Sequence, residues 1–488
     1  MDTIKRRDFV KTVSLAGAGL LAAPMAMAKP GPSGKAGNQA WRIHFFSKHL
    51  QFLDYEGAAD ACVQAGMDGA DLTVRPGGHV LPENVERDLP RAVKAFKNAG
   101  LNIEMMASGI TDPEDPLTDK VLRINTGLKK LGEFLPLNQR RIYTSGYDMG
   151  GQLATLVPSL IRPVRGVLSI GSGLGTPELI GDAGSFEFVG VMGRADYQYS
   201  DMRAAEEFLD RKKIRNHVLY HPGGHQWPDA RYMDLGMQFL NLMAMKDPGT
   251  EKDTAYIRTS YEHFKEYIMA LEGSGDFLLT LDQVEEGLSL YDALIDTDWL
   301  KDRRKELRKN RTYRAQKRDW EQARVQELML TEDYGFYLAE DVNSFNLNNL
   351  GWWNYQMEKI NKYKNSDEGE ERLMGQRLEG YLNALISDFI DTYGIGEKPD
   401  DDALILLHML KTITDPENYD HYLKVISYTA KYGDFGTANF YLEELLKRGY
   451  KDADQLYTLP HTGLLRISPE FNKLVAQYLG SARYATEE

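Results

Sequence analysis

The chain has 488 residues, of which 42% are hydrophobic, and a formal net charge of −14. This length allows two or three domains of roughly 100–200 residues each, and the hydrophobic content predicts folded domains rather than a disordered chain. The acidic balance argues against nucleic acid and anionic lipid as partners, and a single cysteine, Cys62, excludes an intramolecular disulfide and a cysteine-rich metal site.

Residues 1–28 have the composition of an export signal. The pair Arg6-Arg7 precedes an apolar stretch at 13–23, and an A-x-A cleavage site follows at 26–28. The segment resembles a twin-arginine signal peptide, which implies that a folded protein is exported and is periplasmic or secreted. A general secretory signal or an uncleaved anchor is the alternative. We expect residues 29–40 to form a flexible leader, and no membrane span to remain once the signal is removed.

The segment at 41–123 predicts alternating strands and helices. The apolar spacing indicates, in turn, strand 42–46, helix 56–66, strand 69–74, helix 89–100, strand 103–107 and helix 116–134. This order predicts a parallel sheet, because parallel neighbours need a crossover helix between them.

Three runs in this segment carry a family resemblance: FFSKHLQ at 45–51, GADLTVRPGGH at 69–79 and ITDP at 110–113. They resemble the opening of a xylose-isomerase-like TIM-barrel sugar phosphate isomerase or epimerase. The resemblance covers about three βα units, whereas a TIM barrel has eight.

This resemblance implies a substrate-binding site where the strands end, formed by Lys48, His49, Arg75 and His79. It also implies a carbohydrate substrate, and a divalent metal only if the chain is an isomerase. The alternative interpretation is that these four side chains are solvated loop residues.

A different pattern occupies residues 124–248. A predicted strand at 140–145 leads into the turn Gly146-Tyr147-Asp148-Met149-Gly150, and a predicted helix follows at 152–160. The glycines suit a turn whose central residue is strained and whose neighbours have no room for bulk. Further elements are predicted at 164–170 (strand), 186–192 (strand), 202–213 (helix) and 217–220 (strand).

A strand, a G-x-nucleophile-x-G turn and a helix resemble the nucleophile elbow of α/β-hydrolases. GRADY at 193–197 and GGHQWP at 223–228, each after a strand, extend the resemblance to the C-terminal half of an esterase-like or peptidase-like member. It implies that Asp148 stands at the nucleophile position, that Asp196 is the acid and His225 the histidine, and that the backbone N–H of Met149 is an oxyanion donor. The TIM-like segment stands where a hydrolase has its opening strands.

An aspartate at the elbow leaves two interpretations open. A carboxylate is already ionised near neutral pH, so Asp148 could attack an alkyl carbon directly and form an ester that His225 and a water then hydrolyse. Haloalkane dehalogenases and epoxide hydrolases work in this way and resemble this elbow. Alternatively, Asp148 replaces a catalytic serine in a site with weakened or lost activity.

Residues 249–488 predict helices with few strand signals. The sequence GDF separates helical patterns at 275–277 and again at 433–435. Such helix pairs are weakly similar to tetratricopeptide repeats, although the period is irregular. This similarity implies a helical scaffold with a surface for a protein partner.

Together these patterns predict an α/β fold, a hybrid of a TIM-barrel-like start and an α/β-hydrolase-like half, followed by an all-α helical domain. We expect an exported α/β-hydrolase-like protein that acts on a small-molecule or carbohydrate substrate, with no cofactor and no resident metal. Two alternatives remain, a sugar phosphate isomerase or epimerase relative, and a non-catalytic scaffold that binds a protein partner through its helical region.

Overall fold

The computed structural model describes residues 44–108, 141–160, 164–180, 186–394 and 399–484. The predicted signal peptide, the leader, the ITDP run and the predicted helix at 116–134 lie outside these ranges. The chain divides into two compact units, Met1–Gly109 and Ile110–Glu488.

The first unit contains a three-stranded parallel sheet in the order β1-β2-β3. Its elements are β1 (His44–Phe46), α1 (Tyr55–Gln64), β2 (Gly69–Val74), α2 (Val85–Asn98) and β3 (Asn102–Ser108). Helix α1 begins where the side chain of Asp54 accepts a hydrogen bond of 2.8 Å from the N–H of Gly57, a regular N-cap. The predicted alternation of strands and helices in a parallel sheet is confirmed here.

The second unit begins with a four-stranded parallel sheet whose strands follow chain order. The strands and the helices between them are β4 (Ile142–Tyr147), α3 (Met149–Leu160), β5 (Val164–Ile170), α4 (Pro177–Ile180), β6 (Glu187–Gly193), α5 (Tyr199–Arg211), β7 (Asn216–His221) and α6 (Ala230–Met245). Because all four strands are parallel, their carboxyl ends lie at one edge of the sheet. The turns after β4, β6 and β7 therefore meet there.

The rest of the described chain is helical. Its helices are α7 (Thr254–Gly273), α8 (Phe277–Tyr291), α9 (Asp298–Leu307), α10 (Arg311–Ser344), α11 (Leu350–Lys364), α12 (Gly369–Gly394), α13 (Asp401–Thr414), α14 (Tyr419–Lys431), α15 (Phe435–Lys447), α16 (Ala453–Leu456) and α17 (Pro469–Leu479). The N-cap aspartates Asp276 and Asp434 begin α8 and α15 by accepting hydrogen bonds from backbone N–H groups. The two GDF runs therefore mark helix starts. The coarse prediction of an α/β part followed by a helical part is confirmed.

One hydrophobic core joins the sheet to the first helices. Val189 of β6 and Val218 of β7 pack with Phe239, Phe264 and Tyr291 from α6, α7 and α8. All five side chains are fully buried or nearly so. Burial of this size provides the main driving force that fixes these helices against the sheet.

A buried ionic network fixes the later helices against the turn that follows β6. Arg377 on α12 makes a bidentate pair with Glu327 on α10, with N–O distances of 2.8 and 2.6 Å. Its Nη1 donates a hydrogen bond of 2.8 Å to the backbone carbonyl of Arg194. The Arg194 guanidinium in turn pairs with Glu370 on α12 at 2.5 Å. Helix α12 is therefore held close to the turn that carries Asp196.

None of the helices in the described ranges combines the length and the apolar character that crossing a membrane would require.

Candidate functional site

The turn between β4 and α3 holds Asp148 in a left-handed backbone conformation, with φ of 54°. Aspartate tolerates this region better than most residues. The N–H of Asp148 donates to the carbonyl of Ile170 at 2.9 Å, and its own carbonyl accepts from the N–H groups of Gly151 and Gln152 at 2.8 and 3.1 Å. The backbone of the turn is thus fixed on both sides, and the Asp148 side chain lies at the carboxyl edge of the sheet.

The two glycines of the elbow motif differ in how strictly the fold requires them. A Cβ at Gly146 would lie 2.0 Å from the carbonyl oxygen of Gly150, so no other residue fits there. A Cβ at Gly150 would have nothing within 4 Å. The expectation that both glycines are required for space is therefore met at Gly146 and not at Gly150, whose Cα faces open space from the first turn of α3.

The turns after β6 and β7 bring Asp196 and His225 together. The N–H of Ala195 donates to the carbonyl of Gly223 at 3.0 Å, which joins the two turns directly. Nδ1 of His225 lies 3.0 Å from each carboxylate oxygen of Asp196. Only 1% of the surface of Asp196 is exposed, so this pair is largely shielded from water.

The three side chains predicted from the hydrolase resemblance converge. Nε2 of His225 lies 3.8 Å from Oδ1 of Asp148, and Nδ1 of the same ring contacts Asp196. When Nδ1 directs its proton toward Asp196, the unprotonated Nε2 of the neutral ring faces Asp148. The imidazole of His225 therefore lies between the carboxylates of Asp196 and Asp148, and its distance to Asp148 is longer than a hydrogen bond.

Gln198 belongs to this site, and the sequence reasoning missed it. Its side-chain Nε2 donates a hydrogen bond of 2.5 Å to Oδ1 of Asp148, and its backbone N–H donates one of 2.9 Å to Oδ1 of Asp196. It therefore contacts both carboxylates and holds the orientation of Asp148. Its position two residues after Asp196 was the only available signal.

Two tyrosine rings contact His225, and a tryptophan stacks on one of them. The rings of Tyr147 and Tyr197 lie 5.2 and 4.5 Å from the imidazole, centroid to centroid. The indole of Trp227 stacks on Tyr147 at 4.9 Å and stays 62% exposed. Burial, together with nearby carboxylates, raises the pKa of Tyr147 and of Tyr197 to about 12. Both phenols are therefore proton donors at neutral pH.

The carboxylates of the site raise the pKa of the His225 imidazole. Burial lowers the pKa of His225, but the hydrogen bond to Asp196 and the negative charges of Asp196 and Asp148 outweigh it. The pKa consequently lies above the ordinary value for histidine, which makes the ring a stronger base.

The helical region contributes a third carboxylate near the elbow, that of Asp388 on α12. Burial raises the pKa of Asp388, and the negative charges of Asp391 and Asp148 add to the effect. Earlier on the same helix, a Cβ built at Gly380 would lie 3.3 Å from Cβ of Tyr197. Helix α12 therefore runs past the site and forms part of its wall, which local sequence patterns do not indicate.

Met149 is the first residue of α3, and the first N–H groups of a helix have no partner within the helix. Its backbone N–H is thus suited to an oxyanion, which the positive end of the helix also favours. Strand β4 pairs with β5 on one side, and no strand of the described ranges pairs with its other side. A second oxyanion donor from a neighbouring strand's loop is therefore not seen among the described residues.

The four candidates from the isomerase resemblance lie in the first unit. Lys48 and His49 are exposed in the turn after β1, and Arg75 and His79 are half-buried after β2. Thr73 accepts a hydrogen bond of 3.1 Å from the N–H of His79, and burial lowers the pKa of His79. These contacts hold the loop after β2 in place.

Within the ranges that the structure describes, no group of three or more histidine, cysteine, aspartate or glutamate side chains is placed to hold a metal ion.

No protein-family model, curated protein or solved structure matches this chain.

Proposed function

We propose that this chain is an exported hydrolase of the α/β-hydrolase type that uses Asp148 as a nucleophile at a saturated carbon. Its second unit would correspond to the C-terminal half of that fold, and its first unit to the start of a TIM barrel. The observation that carries the proposal is the placement of Nε2 of His225 3.8 Å from Oδ1 of Asp148, with Asp196 bound to the other ring nitrogen. A carboxylate facing an oriented base has the parts that a two-step hydrolysis needs.

In the first step, a carboxylate oxygen of Asp148 attacks a carbon that bears a leaving group. A carbon–oxygen bond forms, the bond to the leaving group breaks, and its electron pair departs with that group. No base is required because the carboxylate is already ionised. The phenols of Tyr147 and Tyr197, with a pKa of about 12, keep their protons and can donate a hydrogen bond to the departing atom.

In the second step, a water hydrolyses the ester on Asp148. Nε2 of His225 takes a proton from the water, whose oxygen attacks the carbonyl carbon of the ester. The backbone N–H of Met149 stabilises the oxyanion that develops. As the intermediate collapses, His225 returns the proton to the departing alcohol, and the carboxyl group of Asp148, which now holds one oxygen from water, releases the remaining water proton to solvent. Asp196 stabilises the imidazolium formed on the way.

The walls of the site favour a neutral small molecule, including a carbohydrate. Exposed Trp227 offers a flat apolar surface stacked on Tyr147, and such surfaces bind apolar groups and sugar rings. The carboxylates of Asp148 and Asp388 repel an anionic substrate.

The covalent ester provides the test. We expect His225→Ala, incubated with an alkyl bromide or styrene oxide, to accumulate an adduct on the peptide that contains Asp148, detected by mass spectrometry. The wild type should incorporate one ¹⁸O atom into that peptide in a single turnover in labelled water. Asp148→Asn is the matched control and should form no adduct. If His225→Ala forms none with either class of reagent, the nucleophile assignment is wrong.

A second candidate, a site that binds without turnover, is favoured by one observation. The short hydrogen bond from Gln198 occupies Oδ1 of Asp148, the same atom that lies nearest His225. The variant Asp148→Ser distinguishes the two candidate functions, because it places a serine hydroxyl beside an oriented histidine. An inactive wild type whose Asp148→Ser variant hydrolyses p-nitrophenyl acetate would support this candidate, whereas an ester adduct on Asp148 would exclude it.

A further inference from the structure

Helix α10 presents an apolar stripe to solvent in the middle of its 34 residues. Val325, Leu328, Met329 and Phe336 are 62%, 68%, 63% and 62% exposed. Their spacing of three, four and eleven residues puts them on one side of the helix. The opposite side, with Tyr334, is buried in the core of the helical region. Scattered exposed apolar residues are ordinary, whereas a group of large ones on adjacent turns, as at Val325, Leu328 and Met329, marks an interaction surface.

The exposed charges of α10 change sign along the helix. The exposed charged residues before Val325 are mostly basic, and those after Met329, two of which lie between Met329 and Phe336, are all acidic. They are Arg311, Arg314, Lys317, Arg318, Glu321 and Arg324 on one side and Glu332, Asp333 and Glu340 on the other. The exposed surface of α10 is therefore positive at its start, apolar at its middle and negative at its end.

We propose that this surface binds a second copy of the chain, with the two α10 helices antiparallel. A surface that is positive at one end and negative at the other complements itself only in this orientation, because a parallel pair would bring like charges together. With the twofold axis beside Met329, Leu328 and Met329 of the two copies meet at the centre. Positions eleven residues on either side, Arg318 and Glu340, then oppose each other across the interface.

Other occupants fit the surface less well. A basic peptide would match only the acidic end of α10, and an acidic peptide only its basic end. The ion pairs that these side chains already make leave them free to engage a partner. Arg318, for example, contacts its neighbour Asp319 at 3.4 Å while 76% of its side chain stays exposed, and an exposed pair of this kind contributes little stability.

The oligomeric state of the full chain tests the proposal. We expect light scattering after size exclusion to give twice the monomer mass of 55.3 kDa at micromolar concentration. Combining Val325→Glu with Leu328→Glu should raise the dimer Kd by on the order of a hundredfold, because carboxylates would then be buried without partners. Leu464→Glu, which changes a leucine that is 70% exposed elsewhere, is the matched control and should leave the dimer intact.

A charge reversal tests the antiparallel register. Arg318→Glu and Glu340→Arg should each weaken the dimer, and the double variant should restore it, a result that misfolding cannot produce. Met329→Cys should cross-link to itself across the axis under mild oxidation, while the native Cys62, only 1% exposed, stays unreacted. Met269→Cys is the matched control. A chain that is monomeric up to about 100 μM, a concentration at which even a weak specific interface associates, would overturn the proposal. A dimer unaffected by these changes would also overturn it.

Discussion

Nε2 of His225 lies 3.8 Å from Oδ1 of Asp148, although the two residues belong to different turns at the edge of the sheet. The other nitrogen of the ring contacts buried Asp196 at 3.0 Å. The turns after β4, β6 and β7 therefore bring two carboxylates and a base to one place. The gap toward Asp148 suits a base that acts on a water rather than on the nucleophile itself.

The elbow glycines give a matched pair of variants. We expect Gly146→Ala to destabilise the chain by several kcal/mol, about 3 or more, because its Cβ would lie 2.0 Å from a backbone oxygen. Gly150→Ala should be neutral or stabilise by roughly 0.5–1 kcal/mol, since the added methyl group meets open space in a helix. Urea denaturation followed by circular dichroism measures both. Equal effects of the two variants would contradict the geometry of the turn.

The pH dependence of turnover depends on Asp196. His225 must be neutral to accept a proton, so activity should rise with pH through its raised pKa. Asp196→Asn removes the interactions that raise this pKa. The rising limb should then move to lower pH while the plateau falls by roughly 10³–10⁴-fold. The pH profile of kcat measures both, and an unmoved limb would show that Asp196 does not act on His225.

The same carboxylates also link folding to pH at His225. Because the folded-state pKa is raised, the stabilisation is fully present below the unfolded-state pKa and is lost as pH rises through the folded value. As far as His225 contributes, Asp196→Asn should therefore lower the free energy of unfolding, relative to the wild type, more at pH 5.5 than at pH 8.5. The difference should disappear in a His225→Ala background, measured by urea denaturation at both values.

A buried histidine pair predicts acid sensitivity in the helical region. Nδ1 of His408 on α13 lies 3.1 Å from Nδ1 of His421 on α14. Burial, and then the charges of His421, Lys424 and Lys411, lower the pKa of His408 to about 3. Burial also lowers the pKa of His421, where the charge of Lys411 lowers it and those of Asp415 and Asp420 raise it.

Because the folded pKa of His408 is depressed, its contribution to stability is complete above the unfolded pKa and declines as pH falls toward about 3. At pH 5 the loss should be on the order of 2 kcal/mol relative to pH 7. His408→Gln should remove most of this dependence, and exposed His49→Gln is the control. Urea denaturation at the two pH values measures it, and a variant that keeps the wild-type dependence would rule out His408 as its source.

The buried arginine on α12 should be costly to remove. Arg377→Met leaves the carboxylate of Glu327 buried and unpaired, so we expect a loss of about 3–5 kcal/mol. Combining it with Glu327→Leu should recover most of that loss, because no buried charge remains. Arg372→Met, at an exposed position on the same helix, should change stability by less than about 0.5 kcal/mol. Denaturant unfolding measures the stability of the three variants. A loss in Arg377→Met no larger than that in Arg372→Met would contradict the network.

The bounds of individual strands followed closely from local pattern. The predicted strands at 69–74 and 164–170 coincide with β2 and β5, because short stretches rich in apolar and β-branched residues between turn residues indicate strands. Helix α3 begins at Met149 rather than at residue 152. The glycines at its start have low helix propensity, so they hid the first turn from a pattern-based prediction.

The sequence by itself determined the turn that holds Asp148 and the chain order of Asp148, Asp196 and His225, because strand periodicity and glycine turns are encoded within a few neighbouring residues. Only the tertiary structure decided that Gln198 holds Asp148 across 50 residues of chain. It alone showed that Arg377 holds the backbone at Arg194 across 183 residues. Such contacts depend on how helices pack against the sheet, and no local periodicity specifies which distant polar side chains that packing brings together.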